Sequence, residues 1–240
     1  MKPTLRHVGV AQTPVVAVDE FTGAVEEGVE LAASLAPFPP SAGNYYPGLR
    51  RPILAQTPAF AYIEQLLEQA APLIGGAFDA ERFDLLEASF SMVTTPAATL
   101  APPQRAPHFD STDPDHLAVM LYLRDTPGTA FFRQNATGIE VVNSGNVDAF
   151  VAAAKRTAPA MRDYISGSGP HYRELGRVEG YRDRLTIYPG ALLHSGLISA
   201  GEPLSDDPRI GRLTANIFIR IFRSSERYVR PDTPLISRRA

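Results

Sequence analysis

His108-Phe109-Asp110 places an imidazole and a carboxylate two residues apart. On a β-strand, side chains at i and i+2 point the same way, so both groups can face one cation. A second imidazole from elsewhere would complete a 2-His-1-carboxylate facial set. That geometry holds a redox-active ion such as Fe(II) and leaves its other side open. A lone His-x-Asp specifies little, because the spacing recurs by chance, and the third ligand therefore decides.

His194 is the candidate for it. In Leu192-Leu193-His194-Ser195-Gly196, two leucines anchor a strand and a Ser-Gly turn leaves it. Coordination tolerates errors of only tenths of an ångström, and such a rigid platform meets that demand. Arg212 follows on the clearest strand of the chain, residues 212–222. One face carries Leu213, Ala215, Ile217, Ile219 and Ile221; the other carries Arg212, Thr214, Asn216, Phe218 and Arg220. The apolar face is expected to pack on N-terminal helices, and the polar face to point into a barrel or to solvent. A guanidinium pairs with a planar carboxylate through two hydrogen bonds, and a hydroxyl two residues on adds another donor. Arg212 and Thr214 together suit the distal carboxylate of a dicarboxylate ligand, with Arg220 as the alternative. His116 could also ligate a metal, but it reads more simply as the start of a strand after a polar loop. His7 and His171 read as surface residues.

The elements that must position these groups follow from periodicity. Residues 15–18 form a short buried strand. Thr22 is expected to cap a helix running to about Leu35, with Val25, Val29 and Ala32 inward, stopped by Pro37, Pro39 and Pro40. Residues 41–52 read as loop. Thr57-Pro58 starts a second helix with Ile63, Leu66, Leu67 and Ala70 on its stripe, and Gly75-Gly76 is expected to end it. From residue 86 the period becomes strand-like, with strands over 86–94, 116–123, 129–133, 184–188 and 191–195. A helix over 147–165 interrupts them, capped by Asn146 and kinked at Pro159. Helices followed by many short strands predict an α+β chain with a sandwich or jelly roll. The expected organisation is one domain over residues 1–240: a helical layer to about 85, a β core over 86–223 and an extended tail over 224–240.

Composition narrows the function. The chain has 240 residues with a formal net charge of −3, which gives no basis for a nucleic-acid partner. Cysteine is absent, which excludes disulfides, thiolate metal sites and cysteine nucleophiles. No run of eighteen apolar residues suggests a membrane span, and residues 1–7 lack a signal-peptide core, so a cytoplasmic location is expected.

The order His-x-Asp, distal His, then Arg-x-Thr resembles the Fe(II)/2-oxoglutarate-dependent dioxygenase superfamily. The segments PHFDSTD, MLYLRDTPGTAFFRQNATG, LTIYPGALLHSG and GRLTANIFIRI, with PVVAVDEF and NYYPG before them, are similar to a bacterial branch near its prolyl-4-hydroxylase-like members. The similarity spans about residues 14–223. It implies a double-stranded β-helix (jelly roll) with N-terminal helices packed on the major sheet. It implies Fe(II) on His108, Asp110 and His194, and 2-oxoglutarate on Arg212 and Thr214, with Tyr122 and Thr129 beside it. It implies hydroxylation of a small-molecule or peptide substrate, with a homodimer left open. One departure is the long interval between His194 and Arg212, where residues 199–210 would form an inserted loop. Two rival readings stand beside this one: a cupin-type Zn or Mn enzyme without 2-oxoglutarate, and a non-catalytic jelly-roll binding module. The arginines at 50, 51, 133 and 220 hint at an acidic substrate, and the Tyr45-Tyr46-Pro47-Gly48 loop could form one wall of its mouth.

Overall fold

Alternation over Arg212–Phe222 produces the strand on which the architecture is built. In the computed structural model, which describes residues 2–43 and 45–223, the elements in chain order are β1 (Thr4–Val8), β2 (Thr13–Val18), α1 (Val25–Ser34), β3 (Gly48–Pro52), α2 (Pro58–Phe78), β4 (Arg82–Val93), β5 (His116–Tyr122), β6 (Thr126–Gln134), α3 (Val147–Thr157), β7 (Tyr172–Gly180), β8 (Leu185–Pro189), β9 (His194–Gly196) and β10 (Arg212–Phe222). Among the described residues they form a seven-stranded sheet in the order β1-β2-β8-β5-β10-β4-β3 and a three-stranded sheet in the order β7-β6-β9. Every strand pairing is antiparallel.

Period-2 patterning decides which face each residue meets. Leu213, Ala215, Ile217, Ile219 and Ile221 of β10 join Leu117, Val119 and Leu121 of β5 in one core cluster. Ile63, Leu66, Leu67, Ala70 and Ile74 of α2 close that cluster from outside, as the alternation predicts. The opposite face of the large sheet meets the small sheet through Met120, Tyr122, Phe131, Val178 and Tyr188. α3 covers the far side of the small sheet, where Phe150 packs with Phe132, Tyr172 and Leu193.

Three strands have no sequence signal, and all three are sheet edges. β1 is exposed over its first four residues, so it lacks the buried stripe that marks a strand. β3 (GLRRP) lies within the expected loop over 41–52; it pairs with β4 on one side and makes only an isolated Pro40–Leu49 bridge on the other, so Pro52 at its end escapes the ladder demand that excludes proline from central strands. β7 carries charges and two glycines and pairs with β6 alone.

Several boundaries also differ from expectation. Thr22 does not cap α1; Ala24 holds that position, and the Thr22 hydroxyl instead donates to Asp183 Oδ1 at 2.7 Å. α2 runs through Gly75-Gly76 to Phe78, where Asp79 (φ 55°) ends it in the left-handed conformation usually taken by glycine. Buried Ile74 and Phe78 keep that last turn helical despite the glycines. The helix from 147 stops at Thr157, and a single 3-10 turn, Ala158–Ala160, contains Pro159. Asn146 makes no side-chain cap; its amide donates to the Val141 carbonyl. The strand expected over 191–195 is reduced to β9, with Leu192 making one isolated bridge to Val141. The expected tail over 224–240 lies outside the described residues.

Candidate metal centre

His108 and His194 come from segments 86 residues apart, and backbone pairing brings them together. Each amide donates to the other's carbonyl at 2.9 Å, in an isolated antiparallel bridge. On its other side β9 pairs with β6, placing His194 opposite Phe131. The Asp110 amide donates to the Gly190 carbonyl at 2.7 Å, which fixes the carboxylate next to the imidazoles. The outcome is one cluster: His108, Asp110 and His194 each offer a ligand atom, all within 4.8 Å of one another. His194 Nε2 lies 3.5 Å from Asp110 Oδ2, His108 Nε2 lies 3.9 Å from Asp110 Oδ1, and the imidazole centroids are 4.4 Å apart.

The tautomers favour ligation. His194 Nδ1 sits 2.7 Å from the Leu192 carbonyl, an acceptor-only group, so Nδ1 carries a proton and Nε2 is the nitrogen turned toward the cluster. Tyr188 packs edge-on against the same ring at 4.8 Å. His108 is pushed down to about 4, chiefly by desolvation and then by His194, against the opposing pull of Asp110. Its side chain keeps 46% of its surface, but that surface faces the cavity. Near neutral pH His108 is therefore uncharged and able to ligate. Two imidazole nitrogens and one carboxylate on one side of a point fit a divalent first-row ion that keeps open positions.

Behind the cluster lies a narrow pocket of about 80 Å³. Arg212, Thr214 and Thr129 line it, together with Asp110 and His194. Arg212 is 4% exposed, and none of the salt bridges among the described residues includes it. Its Nε is buried without a partner, and its one hydrogen bond is a long one, Nη2 to the Gly128 carbonyl at 3.4 Å. A buried guanidinium without an anion is costly, and such charges are normally paired. The backbone of Gly196 leaves room for it: a Cβ there would stand 3.1 Å from Arg212 Nη2. The loop before β10 does not displace the arginine. It is closed by Gly211 donating to Asp207 and tied to α1 by the Arg209–Glu30 ion pair.

Arg220 is elsewhere. It is exposed, pairs with Asp113 at 3.3 Å and lines neither cavity described here. Tyr122 is buried beside the pocket without lining it; its hydroxyl and that of Thr129 share a 2.7 Å hydrogen bond. Thr129→Val keeps the shape but leaves the phenol unpaired. It is expected to lower unfolding free energy by about 1–3 kcal/mol, measured by urea denaturation, the cost of an orphaned buried polar group.

In front of the cluster opens a cavity of about 430 Å³. Its walls include Tyr46, Arg50, Tyr164, Phe109 and Phe218, and His116 stands at its edge. Of these, the sequence marks the Tyr45–Gly48 loop as a wall, Arg50 as a hint of an acidic substrate and Phe218 only by its face on the last strand; Tyr164 carries no signal. The Tyr164 hydroxyl donates to the Thr95 carbonyl at 2.7 Å. His116 lies 5.2 Å from the Phe218 ring, and its Nδ1 is buried without a partner.

A family model described as a family of unknown function (DUF6445) matches residues 1–219. No curated protein matches the chain. Among solved structures, the non-haem alpha-ketoglutarate-dependent epimerase SnoN from nogalamycin biosynthesis is similar with a TM-score of 0.53 at 14% identity, over 95% of this chain and 92% of its own. AviO1 from Streptomyces viridochromogenes Tue57 gives 0.50 at 16% identity, over 92% and 93%. HygX from Streptomyces hygroscopicus, solved with nickel and 2-oxoglutarate, gives 0.49 at 15% identity, over 87% and 83%. At these identities SnoN and AviO1 establish a shared fold. No helix among the described residues is long and apolar enough to cross a membrane.

Proposed function

We propose, for a chain that belongs to the DUF6445 family of unknown function, an Fe(II)- and 2-oxoglutarate-dependent oxygenase on a double-stranded β-helix, forming a single domain. The observation that carries this reading is the pairing of a His108–Asp110–His194 ligand set with a buried, anion-free Arg212 on the same pocket. A metal site alone would suit many enzymes, including the cupin-type Zn or Mn alternative. The adjacent unpaired guanidinium asks for a ligand that both chelates a metal and ends in a carboxylate, which 2-oxoglutarate does. A binding module that had lost catalysis has no reason to keep both. SnoN, which shares the fold, is itself described as alpha-ketoglutarate-dependent.

His108 and His194 would hold the ion through Nε2, and Asp110 through its carboxylate. An iron(II) held there would supply oxygen activation coupled to oxidative decarboxylation of the 2-oxo acid, the chemistry that oxidises an unactivated C–H bond. The chain's own part is positioning. Arg212 would clamp the distal carboxylate through its fork, with Thr214 as a further donor. Thr129 would line the remaining wall, held in place by the Tyr122 hydroxyl. Arg212 and Thr214 are buried away from bulk water, where a charge-assisted contact with a bound carboxylate would be stronger than at the surface. The front cavity would receive the substrate, and hydroxylation is the simplest outcome.

Fe(II) and 2-oxoglutarate added together without oxygen are expected to give a weak visible charge-transfer band that neither gives alone. Absence of the band in protein shown to bind both would overturn the reading.

A further inference from the structure

The front cavity holds a second cation that nothing neutralises well. Arg50, on edge strand β3, lines both the front cavity and the inner pocket. The other arginines that hinted at an acidic substrate are engaged: Arg133 pairs with Glu140, Arg220 with Asp113, and Arg51 donates to the Pro37 carbonyl. Arg50 is held differently. Its Nε donates to Ser91 Oγ at 3.3 Å, and its guanidinium carbon lies 5.1 Å from the Tyr46 ring centroid. The nearest acid, Glu87, is 3.8 Å from Nη1 and half exposed, beyond hydrogen-bond range and open to water. One edge of the guanidinium is thus fixed, and most of its donors remain unused.

Polar groups such as Gln104, His116 and Ser195 share the front cavity with a set of apolar side chains. Val93, Phe109, Ile198 and Phe218 contribute to the front cavity. A groove of about 350 Å³ between Phe109, Phe150, Val151 and Ala154 meets that cavity at Tyr45, Ala106, His108 and Phe109. The ligand cluster lies at the junction, since His108 lines both spaces.

We propose that the substrate is a small carboxylic acid with an apolar body, its carboxylate paired to Arg50 and its body crossing His108 toward the Phe109–Phe150 groove. This rests on the oxygenase reading and extends it to the substrate class. A single planar guanidinium with free donors matches one carboxylate. Arg212 reaches the front cavity as well but is only 4% exposed, and its fork is assigned to the distal carboxylate of 2-oxoglutarate, which leaves Arg50 as the guanidinium open to a substrate carboxylate. Carboxylate binding at Arg50 leaves the apolar carbons of the substrate facing the cluster, where oxidation would occur.

The test uses the full chain loaded with Mn(II) and 2-oxoglutarate without oxygen. Thermal shift and calorimetry would compare benzoate, 3-phenylpropionate and octanoate with their neutral amides. At least one acid is expected to bind and its amide to bind about tenfold or more weakly, with Arg50→Gln abolishing that preference, the loss expected for a charge-assisted bidentate pair. Phe109→Ala should weaken acid and amide alike. Failure of all six compounds to bind, equal binding of acids and amides, or an acid preference that survives Arg50→Gln would each overturn the proposal. Loss of 2-oxoglutarate binding in Arg50→Gln would overturn it too, by moving Arg50 to the cosubstrate. The same panel without metal and 2-oxoglutarate separates the two readings. Arg50-dependent acid preference in a wild-type chain that never takes up 2-oxoglutarate would sink the oxygenase and keep the carboxylate anchor.

Discussion

Arg212→Met is expected to weaken 2-oxoglutarate binding by about 30-fold to several thousand-fold, the range for truncating one partner of a buried, hydrogen-bonded charge pair at roughly 2–5 kcal/mol. The same substitution should leave the ligand-free chain as stable as the parent, or more stable. That second half is the discriminating one. A buried cation that is paired loses stability when its side chain is removed, because its partner is stranded. Arg212 has no acidic partner to strand, and its one hydrogen bond, to the Gly128 carbonyl, is long. Replacing an uncompensated buried charge by an apolar chain of similar length is neutral or favourable. Urea denaturation with and without 2-oxoglutarate measures both quantities. If the variant binds 2-oxoglutarate like the parent, the carboxylate clamp is elsewhere. If the ligand-free variant loses several kcal/mol, Arg212 is structural.

A second large effect is expected at the ligand cluster. His194→Ala and Asp110→Asn should each lower Fe(II) affinity by well over 100-fold, since even groups that only orient a ligand contribute roughly 10- to 100-fold. Metal content after dialysis and calorimetric titration with Mn(II) measure the loss. His194 is 4% exposed, so its removal also opens a void that costs folding stability. His108→Gln serves as the control, because its side chain faces the cavity and is 46% exposed. Retention of stoichiometric metal by His108→Gln and Asp110→Asn together would remove the cluster from consideration.

The site was legible where chemistry and local period coincide. His108 and Asp110 share a short extended segment, and Arg212 with Thr214 sit on a strand whose alternation cannot be read as a helix. His194 was legible from its flanking leucines, although the strand there is only three residues long. Arg50 and Tyr46 were legible as residue types but not as a wall of one cavity. Their placement depends on β3 pairing with β4, and an edge strand with glycine at one end and proline at the other carries no period. Arg212 could not be separated from Arg220 by sequence, since i and i+8 on a strand share a face. Distance along the strand, which takes Arg220 out to solvent and Asp113, makes the distinction. The helical end at Gly75-Gly76 was misplaced because tertiary packing of Ile74 and Phe78 outweighs the roughly 1 kcal/mol per glycine that propensity charges against them.

The reciprocal amide–carbonyl bridge between His108 and His194 has a consequence for discrimination among ions. The spacing of the two backbone segments that carry the imidazoles is dictated by this peptide pairing, so the platform exists before anything enters the site. A cation held there would be accepted or refused by size against a jaw whose backbone supports the ladder keeps from moving apart. Tuning such a jaw does not require touching the histidines: changes at Phe131 or Leu193, which support the bridge from neighbouring positions, would shift its width and with it the preferred radius.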